Sequence, residues 1–453
     1  QTIYLKFLPR INMHFIYACK VLFCIATIWV GTLGAELGNN HDNGEQNNKV
    51  LAFQLKPGEK LKNLQWPELQ YSSVSEKSPN ALCFSGGGSR SYIGAMGILG
   101  ALTNLGLMKR IRYICGASGG GWAATAYTYF QPNTPLATMH IQTNGSVRTI
   151  YSETDMSASN DEQLLGNITA PSEITQANLD YIAPNCLRGS VSKGVLSNFV
   201  KEWIKNGFHF HKAFIAGIHQ NYLLRAGIPS PYDKIPKLFS YNEETVNNIK
   251  TRNPSLENEF ITQAAGRPVM AIGCTLLGPT RLIPFDKYNR TYNILEMNPF
   301  YIGRPDTGVY TYVSDKGKSA GAAIVGGMIE SFAFTGHSNN NQRLSATENI
   351  GTLTDVSMPS EVFTVSHAAS VGGWAAADEI SSQLGPIGPI ANDLFGLDSN
   401  YFSTSTPPQG YSSESGQLFA LGDAGITENS HLISLLRRTD LNGFILITNS
   451  DVP

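Results

Sequence analysis

Charged residues are scarce in this chain. They make up 15% of its 453 residues, whereas a typical globular domain carries roughly 25%. Hydrophobic residues account for 42%, and a disordered chain would need the opposite balance of high charge and little apolar surface. The 33 basic and 35 acidic residues give a formal net charge of −2, which excludes a nucleic-acid binder that relies on a broad basic surface. The composition therefore indicates a folded protein with no nucleic-acid partner.

Cysteine is also scarce, and none of the six cysteines has the spacing that a metal site requires. No CxxC pair occurs, so a structural zinc site is not expected. Cys83 and Cys115 lie in apolar runs and are expected to be buried thiols. A disulfide between Cys186 and Cys274 in an oxidising compartment stays open as an alternative to free thiols.

An apolar run near the N-terminus, residues 21–33, is shorter than the roughly 20 residues that a membrane-spanning helix needs. Lys20 precedes it and small residues follow it, which is typical of a secretory signal peptide. We therefore expect a leader over residues 1–35 with its start at Met13, and a protein that is secreted or lies in the endomembrane lumen. A signal-anchored membrane protein is the alternative.

Polar sequence follows the leader and predicts an N-terminal spacer over residues 36–79. Three Asn-x-Ser/Thr sequons occur further along, at Asn144, Asn167 and Asn289. Behind a signal peptide, such sequons are candidates for glycosylation on surface loops.

Strand-like and helix-like patterns alternate in the next part of the chain. Residues 81–84 and 111–115 predict buried strands, and residues 91–108 and 119–130 predict helices. This order is typical of an α/β fold with a central, largely parallel sheet flanked by helices.

One large domain is expected over residues 80–453, covered by an insertion at about 131–265. Beyond the insertion, residues 269–276, 417–421 and 443–448 predict strands. A run of small residues at 318–334 predicts a helix.

Three consecutive glycines stand between the first predicted strand and helix, in the segment 85–90 (SGGGSR). Uncovered backbone N–H groups at a helix N-terminus can hold an oxyanion or a phosphate, because the helix dipole is positive there. The segment lacks the ending of a nucleotide-binding P-loop and the usual dinucleotide fingerprint. A tight turn that only needs positive φ is the alternative.

The second predicted strand and helix flank the segment 116–120 (GASGG). A G-x-S-x-G sequence between a strand and a helix is the pattern of a nucleophile elbow, which lifts the serine hydroxyl above the sheet. Asp423 ends a later predicted strand, where α/β sheets bind ligands. A D-x-G sequence by itself is more often a turn. Together, Ser118, the glycine segment and Asp423 would supply a nucleophile, an oxyanion hole and a carboxylate base for acyl transfer.

These segments resemble the motifs of the cytosolic phospholipase A and phospholipase B (lysophospholipase) family, which is related to patatin. That family carries S-G-G-G-x-R, G-x-S-G-x-x-W and a distant D-x-G followed by an asparagine and an arginine. Here they correspond to residues 85–90, 116–122 and 423–437, with Asn429 inside the last. The resemblance covers roughly residues 80–453. The chain departs from it at Ser430 and His431, where the family usually has a proline after the asparagine.

The resemblance implies a patatin-like phospholipase domain with a Ser–Asp dyad and no histidine. Ser118 would attack a fatty-acyl ester of a phospholipid or lysophospholipid at a membrane or micelle surface, and Asp423 would act as the general base. The amides of Gly87 and Gly88 would form the oxyanion hole. Arg90 would bind the lipid phosphate, with a salt bridge at the helix start as the alternative. No metal or other cofactor is implied.

Two other functions stay open. A conventional Ser–His–Asp hydrolase needs a histidine after the acid, and only His431 follows Asp423. A catalytically inactive lipid-binding protein on the same scaffold is the second alternative, although Ser118, Asp423 and Arg90 are all present.

Overall fold

A computed structural model describes residues 47–53, 64, 66–131, 140–143, 146–149, 201–202, 204–205, 210–279, 292–313, 319–336, 352–358, 362–373, 397–400 and 418–448. The predicted leader, the asparagines of the three sequons and Cys186 lie outside these residues. Among the described helices, none combines the length and the apolar character that crossing a bilayer requires.

The described α-helices are α1 (Ser72–Ser75), α2 (Gly88–Asn104), α3 (Ser118–Thr128), α4 (Phe210–Ile218), α5 (Glu243–Arg252), α6 (Val365–Val371) and α7 (Leu432–Leu435). The strands are β1 (Asn47–Phe53), β2 (Asn80–Phe84), β3 (Tyr113–Gly116), β4 (His140–Thr143), β5 (Ser146–Thr149), β6 (Leu238–Ser240), β7 (Phe260–Thr262), β8 (Val269–Pro279), β9 (Asn293–Met297), β10 (Tyr301–Val313), β11 (Ser319–Glu330), β12 (Thr352–Ser357), β13 (Leu397–Asn400), β14 (Leu418–Asp423) and β15 (Gly443–Ile447).

Eleven strands form one mixed sheet in the order β12-β1-β11-β10-β9-β8-β3-β2-β15, with β14 paired to β8 and β13 to β14. The four neighbouring strands β15, β2, β3 and β8 are parallel. The other pairings within this sheet are antiparallel. The predicted α/β fold with parallel central strands is thus confirmed for the strands that precede the two glycine-rich turns, while the far half of the sheet is antiparallel.

Both faces of β2 and β3 are buried, as helix-covered parallel sheets require. Leu82 and Ile114 pack with residues of α2 and α3 in the larger core, which includes Met96. Their neighbours Ala81 and Tyr113 pack in a second core on the other face. This alternation follows from the period of two residues in a strand.

Strand β11 corrects the helix that the sequence predicts over residues 318–334. Its residues 319–330 pair with β10 in an antiparallel hairpin. Glycine disfavours a helix by roughly 1 kcal/mol per residue relative to alanine, and this run contains several. Gly326 and Gly327 adopt positive φ values of 155° and 91°. Pairing with β10 therefore outweighs the helical spacing of the small residues.

Strand β1 lies within the predicted polar spacer. It pairs with β11 and β12, and it buries Val50 and Ala52 while Asn47 and Lys49 stay exposed. The sheet therefore begins before residue 80. The apolar alternation of this short segment was hidden by the Asn-rich sequence beside it.

The cysteine predictions are also corrected. Cys83 on β2 and Cys115 on β3 are register partners with Cα atoms 4.6 Å apart, and their sulfurs form a disulfide. Cys274 is a free, buried thiol, which removes the proposed Cys186–Cys274 bond. The pairing of the two strands, which the spacing along the chain does not reveal, decides which sulfurs meet.

Candidate active site

Ser118 occupies the turn between β3 and α3 in a strained conformation. Its φ is +49°, and among the described residues His431 is the other non-glycine residue with positive φ. Such a conformation costs about 1–3 kcal/mol and persists where the surrounding structure imposes it. The Ser118 N–H donates to the carbonyl oxygen of Gly372 at 3.0 Å. The predicted elbow is therefore present as a sharp strand-to-helix turn.

Glycines around Ser118 are required by close packing with the preceding loop. A Cβ atom on Gly119 would overlap the carbonyl oxygen of Gly88, and one on Gly120 would lie 2.6 Å from the carbonyl oxygen of Phe84. The absence of side chains thus lets the N-terminus of α3 contact the start of α2. The glycine loop, residues 85–88, and the nucleophile turn form one packed unit.

The glycine loop connects β2 to α2. Gly87 and Gly88 have φ values of 142° and 61°, which favour glycine. The Gly86 N–H is held by Asn429, to whose carbonyl oxygen and Oδ1 it donates at 2.8 and 3.1 Å. Gly87 is exposed and Gly88 half-buried. The amides of Gly87 and Gly88 have no hydrogen-bond partner within the described part of the chain.

Asp423 reaches Ser118 through the pairing of β8. Strand β3 pairs with the first part of β8, ending with Gly116 opposite Ile272. Strand β14 pairs antiparallel with the later part of β8, ending with Asp423 opposite Cys274. Because β9 occupies the other edge of β8, β3 and β14 share one edge and approach each other end to end. Two residues of β-strand span about 7 Å, so the residues that follow the two strand ends are neighbours.

The Asp423 carboxylate is 5% exposed. It accepts a hydrogen bond from the Gly425 N–H at 2.7 Å. Burial raises the pKa of the carboxyl above its usual value, and the Gly425 N–H and the nearby Ser118 hydroxyl offset part of that shift. The site therefore places a strained serine beside a buried carboxylate.

Arg90 lies on the first turn of α2, beside the glycine loop, and is exposed. No ion pair of Arg90 occurs among the described residues. The salt bridge considered as its alternative role is therefore not found in this part of the chain.

Histidines do not contact Ser118 among the described residues. His431 is fully buried and lies against Gly273. Burial lowers its pKa to about 4. His367 is used in the capping box of α6, where its Nδ1 contacts Thr364. His337 lies outside the described residues. The geometry favours a carboxylate, and not an imidazole, as the partner of the serine.

A buried charge cluster supports the segment after Asp423. Arg438 contacts Glu68 at 2.9 Å and Glu296 at 2.5 Å, and its guanidinium lies 4.1 Å from the ring centroid of Trp66. Although burial disfavours its charged form, Glu296 has its pKa lowered to about 2 by Arg438. The motif comparison ended at Arg437, whereas the arginine in the core is Arg438.

Gly372 and Arg438 are supporting residues that sequence reasoning missed. Gly372 carries no motif, and its carbonyl oxygen also accepts from the Ala424 N–H at 3.2 Å. Asn429 was part of the motif but had no assigned role. The sequence signal that could have found it is its place after D-x-G.

Comparison with known proteins gives a family match at this site. A model of the patatin-like phospholipase family matches residues 82–146, which include the glycine loop and the nucleophile turn. No curated protein sequence matches the chain significantly.

Two solved structures are similar to the chain at low identity. Human GIVD cytosolic phospholipase A2 is 13% identical with a TM-score of 0.40, and the match covers 90% of this chain and 49% of that one. VipD from Legionella pneumophila is 10% identical with a TM-score of 0.24, and the match covers 93% of this chain and 55% of that one. The chain spans about half the length of both. Residues 82–146, which carry the glycine loop and Ser118, are therefore similar to the patatin-like phospholipase family.

Proposed function

We propose that this protein is a serine acyl-ester hydrolase that cleaves fatty-acyl esters of phospholipids or lysophospholipids with a Ser118–Asp423 dyad. The position of Ser118 carries the proposal, because this strained serine at the strand-to-helix turn lies beside the buried Asp423 carboxylate. The family match over residues 82–146 supports a lipid acyl ester as the substrate class.

In the first half-reaction, Asp423 takes the proton of the Ser118 hydroxyl while the serine oxygen attacks the ester carbonyl carbon. The tetrahedral intermediate then expels the alcohol oxygen of the lipid, which takes the proton from Asp423. The acyl group is left as an ester on Ser118. In the second half-reaction, Asp423 takes a proton from water while the water oxygen attacks the acyl carbon. The Ser118 oxygen then leaves and takes the proton from Asp423, which releases the fatty acid and restores the serine.

The glycine loop and Arg90 supply the charge stabilisation in this proposal. The amides of Gly87 and Gly88 stabilise the negative oxygen of the tetrahedral intermediate, and loss of one such donor typically costs about 10²–10³ in rate. The exposed Arg90 binds the lipid phosphate with a bidentate geometry that suits a guanidinium. None of these steps needs a metal ion.

Covalent labelling of Ser118 tests the proposal. A fluorophosphonate probe should label the wild-type protein stoichiometrically and fail on Ser118→Ala. Hydrolysis of a phospholipid and lysophospholipid panel should be lost in Ser118→Ala and Asp423→Asn, and kept in every single His→Ala variant. A folded wild type that is not labelled would instead support a lipid-binding protein, and loss of activity in one histidine variant that stays folded would support a Ser–His–Asp enzyme.

We further propose that the protein enters the secretory pathway and acts at a membrane or micelle surface. The leader and the three sequons support this proposal. Expression of the full chain in a eukaryotic secretory host should release a protein cleaved after Gly34 or Ala35 whose mass falls on glycosidase treatment. An uncleaved, unglycosylated protein in the cytosol would refute it, and an uncleaved membrane-bound protein would indicate a signal anchor.

A further inference from the structure

The predicted insertion supplies a tyrosine to the start of α2. Helix α4 continues into a π-helical segment, His219–Leu223, which contains Tyr222. π-helical turns are rare and often occur at functional sites, since the extra residue changes the direction of the side chains that follow. Tyr222 is 2% exposed, so its direction is set by packing.

Two aromatic residues hold the Tyr222 ring. It stacks on Trp122 with ring centroids 4.5 Å apart, and Tyr92 packs against it at 5.0 Å. The Tyr92 hydroxyl also donates to the backbone carbonyl oxygen of Tyr222 at 3.0 Å. Tyr92 lies on α2 and Trp122 on α3, so the ring bridges the two helices that begin at the candidate active site.

The Tyr222 hydroxyl lies 2.5 Å from the Ser89 hydroxyl. Ser89 is half-buried and stands between Gly88 and the exposed Arg90. A phenol, with a pKa near 10, is the more acidic partner and the better donor. When Tyr222 donates, the Ser89 oxygen accepts and the Ser89 proton remains to be donated elsewhere.

An anion at the start of α2 is the acceptor that this arrangement suits. The helix dipole favours negative charge there, Arg90 adds a full positive charge, and hydrogen bonds in a chain strengthen one another. We propose that Tyr222 is a positioning residue that orients the Ser89 hydroxyl toward the phosphate of the substrate, and that Ser89 with Arg90 selects phosphate-bearing lipids over neutral esters. This inference rests on the proposed function.

Two substrates that differ only in the head group test the proposal. A palmitoyl lysophosphatidylcholine and the matching monopalmitoylglycerol share the acyl ester and the glycerol. Tyr222→Phe should raise the KM for the phospholipid roughly tenfold, because the Ser89 hydroxyl is then no longer oriented to donate to the charged phosphate. Its kcat for the phospholipid and its kcat/KM for the neutral ester should stay within about twofold of wild type.

Tyr127→Phe is the matched control. The Tyr127 hydroxyl on α3 lies 3.4 Å from the Thr103 hydroxyl on α2, so the variant removes a tyrosine hydroxyl that contacts a hydroxyl of α2 at the other end of that helix. Tyr127→Phe should leave the KM and kcat for both substrates unchanged. Ser89→Ala is the second variant, and it should show the same split between substrates. If the two hydroxyls act as a unit, the double variant should raise the KM for the phospholipid no more than the larger single effect.

Each outcome separates this inference from the proposed function. If the fluorophosphonate labels wild-type Ser118 but Tyr222→Phe and Ser89→Ala affect both substrates equally, or neither, the positioning role is wrong and the proposed function stands. If wild type is neither labelled nor active, the proposed function itself fails. A loss confined to the phospholipid in both variants supports the positioning role.

Discussion

The carbonyl oxygen of Gly372 accepts a hydrogen bond from the backbone N–H of Ser118, at 3.0 Å. The same oxygen accepts from the N–H of Ala424, the residue after Asp423. One carbonyl after α6 therefore holds the backbone of the candidate nucleophile and that of the candidate base. The strained φ of Ser118 is maintained by a contact from a distant part of the chain.

Substitution of Gly372 tests this relationship. A Cβ atom at Gly372 would lie 2.6 Å from the carbonyl oxygen of Gly273, so Gly372→Ala must displace the loop. We expect kcat to fall about tenfold or more, because small displacements of catalytic groups are costly, while KM changes less. Gly97→Ala, at an exposed site on α2 with open space around it, is the control and should keep full activity. Equal activity in both variants would contradict the role given to Gly372.

If Asp423 is the base of the proposed reaction, it should set the acid limb of the pH profile. The base must be ionised, and burial raises its pKa above the usual value, so activity should disappear on acidification at a higher pH than an exposed aspartate would give. Steady-state kcat/KM measured against pH checks this. An activity that persists below the usual aspartate pKa of about 3.9 would contradict it.

Asp423→Asn should separate activity from stability. A carboxyl whose pKa is raised in the folded state stabilises the fold when protonated, and this contribution is lost as the pH rises through the folded pKa. At neutral pH the asparagine variant should therefore be inactive but at least as resistant to urea as wild type. A large loss of unfolding free energy would show that its inactivity reflects misfolding.

His431 should influence acid stability and not the chemical step. Its pKa is lowered by burial to about 4 from its usual value of 6.5. The neutral form is favoured in the fold, so this contribution is present above pH 6.5 and is lost as the pH falls toward 4. Asn tolerates the left-handed conformation of residue 431, and His431→Asn should keep kcat while it reduces the pH dependence of the unfolding free energy in that window. Loss of kcat with the fold intact would revive the Ser–His–Asp alternative.

The buried arginine should be essential for stability. Arg438→Met leaves Glu68 and Glu296 buried without their cation, and breaking a buried ion pair from one side costs about 3–5 kcal/mol. Urea unfolding should show a loss of this size. Arg110→Met, at an exposed position, should change the unfolding free energy by about 0.5 kcal/mol at most. Similar values for the two variants would contradict the assignment.

The disulfide can be checked by non-reducing peptide mapping. The peptides that contain Cys83 and Cys115 should be recovered linked. Cys274 should react with a thiol reagent only after denaturation, since burial raises the pKa of its thiol. Rapid labelling of Cys83 or Cys115 in the native, unreduced protein would show that the bond is absent.

Local sequence predicted the elements around the site well. Residues 81–84 and the glycine loop became β2 and the start of α2, and the segment at 116–120 became the strained turn before α3. In both places the spacing of the apolar residues and the position of the glycines predict the same strand, turn and helix. The helix predicted at 318–334 failed because small residues fit either structure, and pairing with β10 decided between them.

The sequence by itself determined the low charge, the glycine clusters and the candidate residues Ser118, Asp423 and Arg90. Composition needs no structure, and each motif is a pattern of residues that are neighbours along the chain. Tertiary structure decided which of them meet. Strands β3 and β14 share one edge of β8, so Asp423 reaches Ser118, and the same folding brings Gly372, Asn429 and Tyr222 to the two loops. Contacts between distant segments depend on strand order and register, and neither is written in local periodicity.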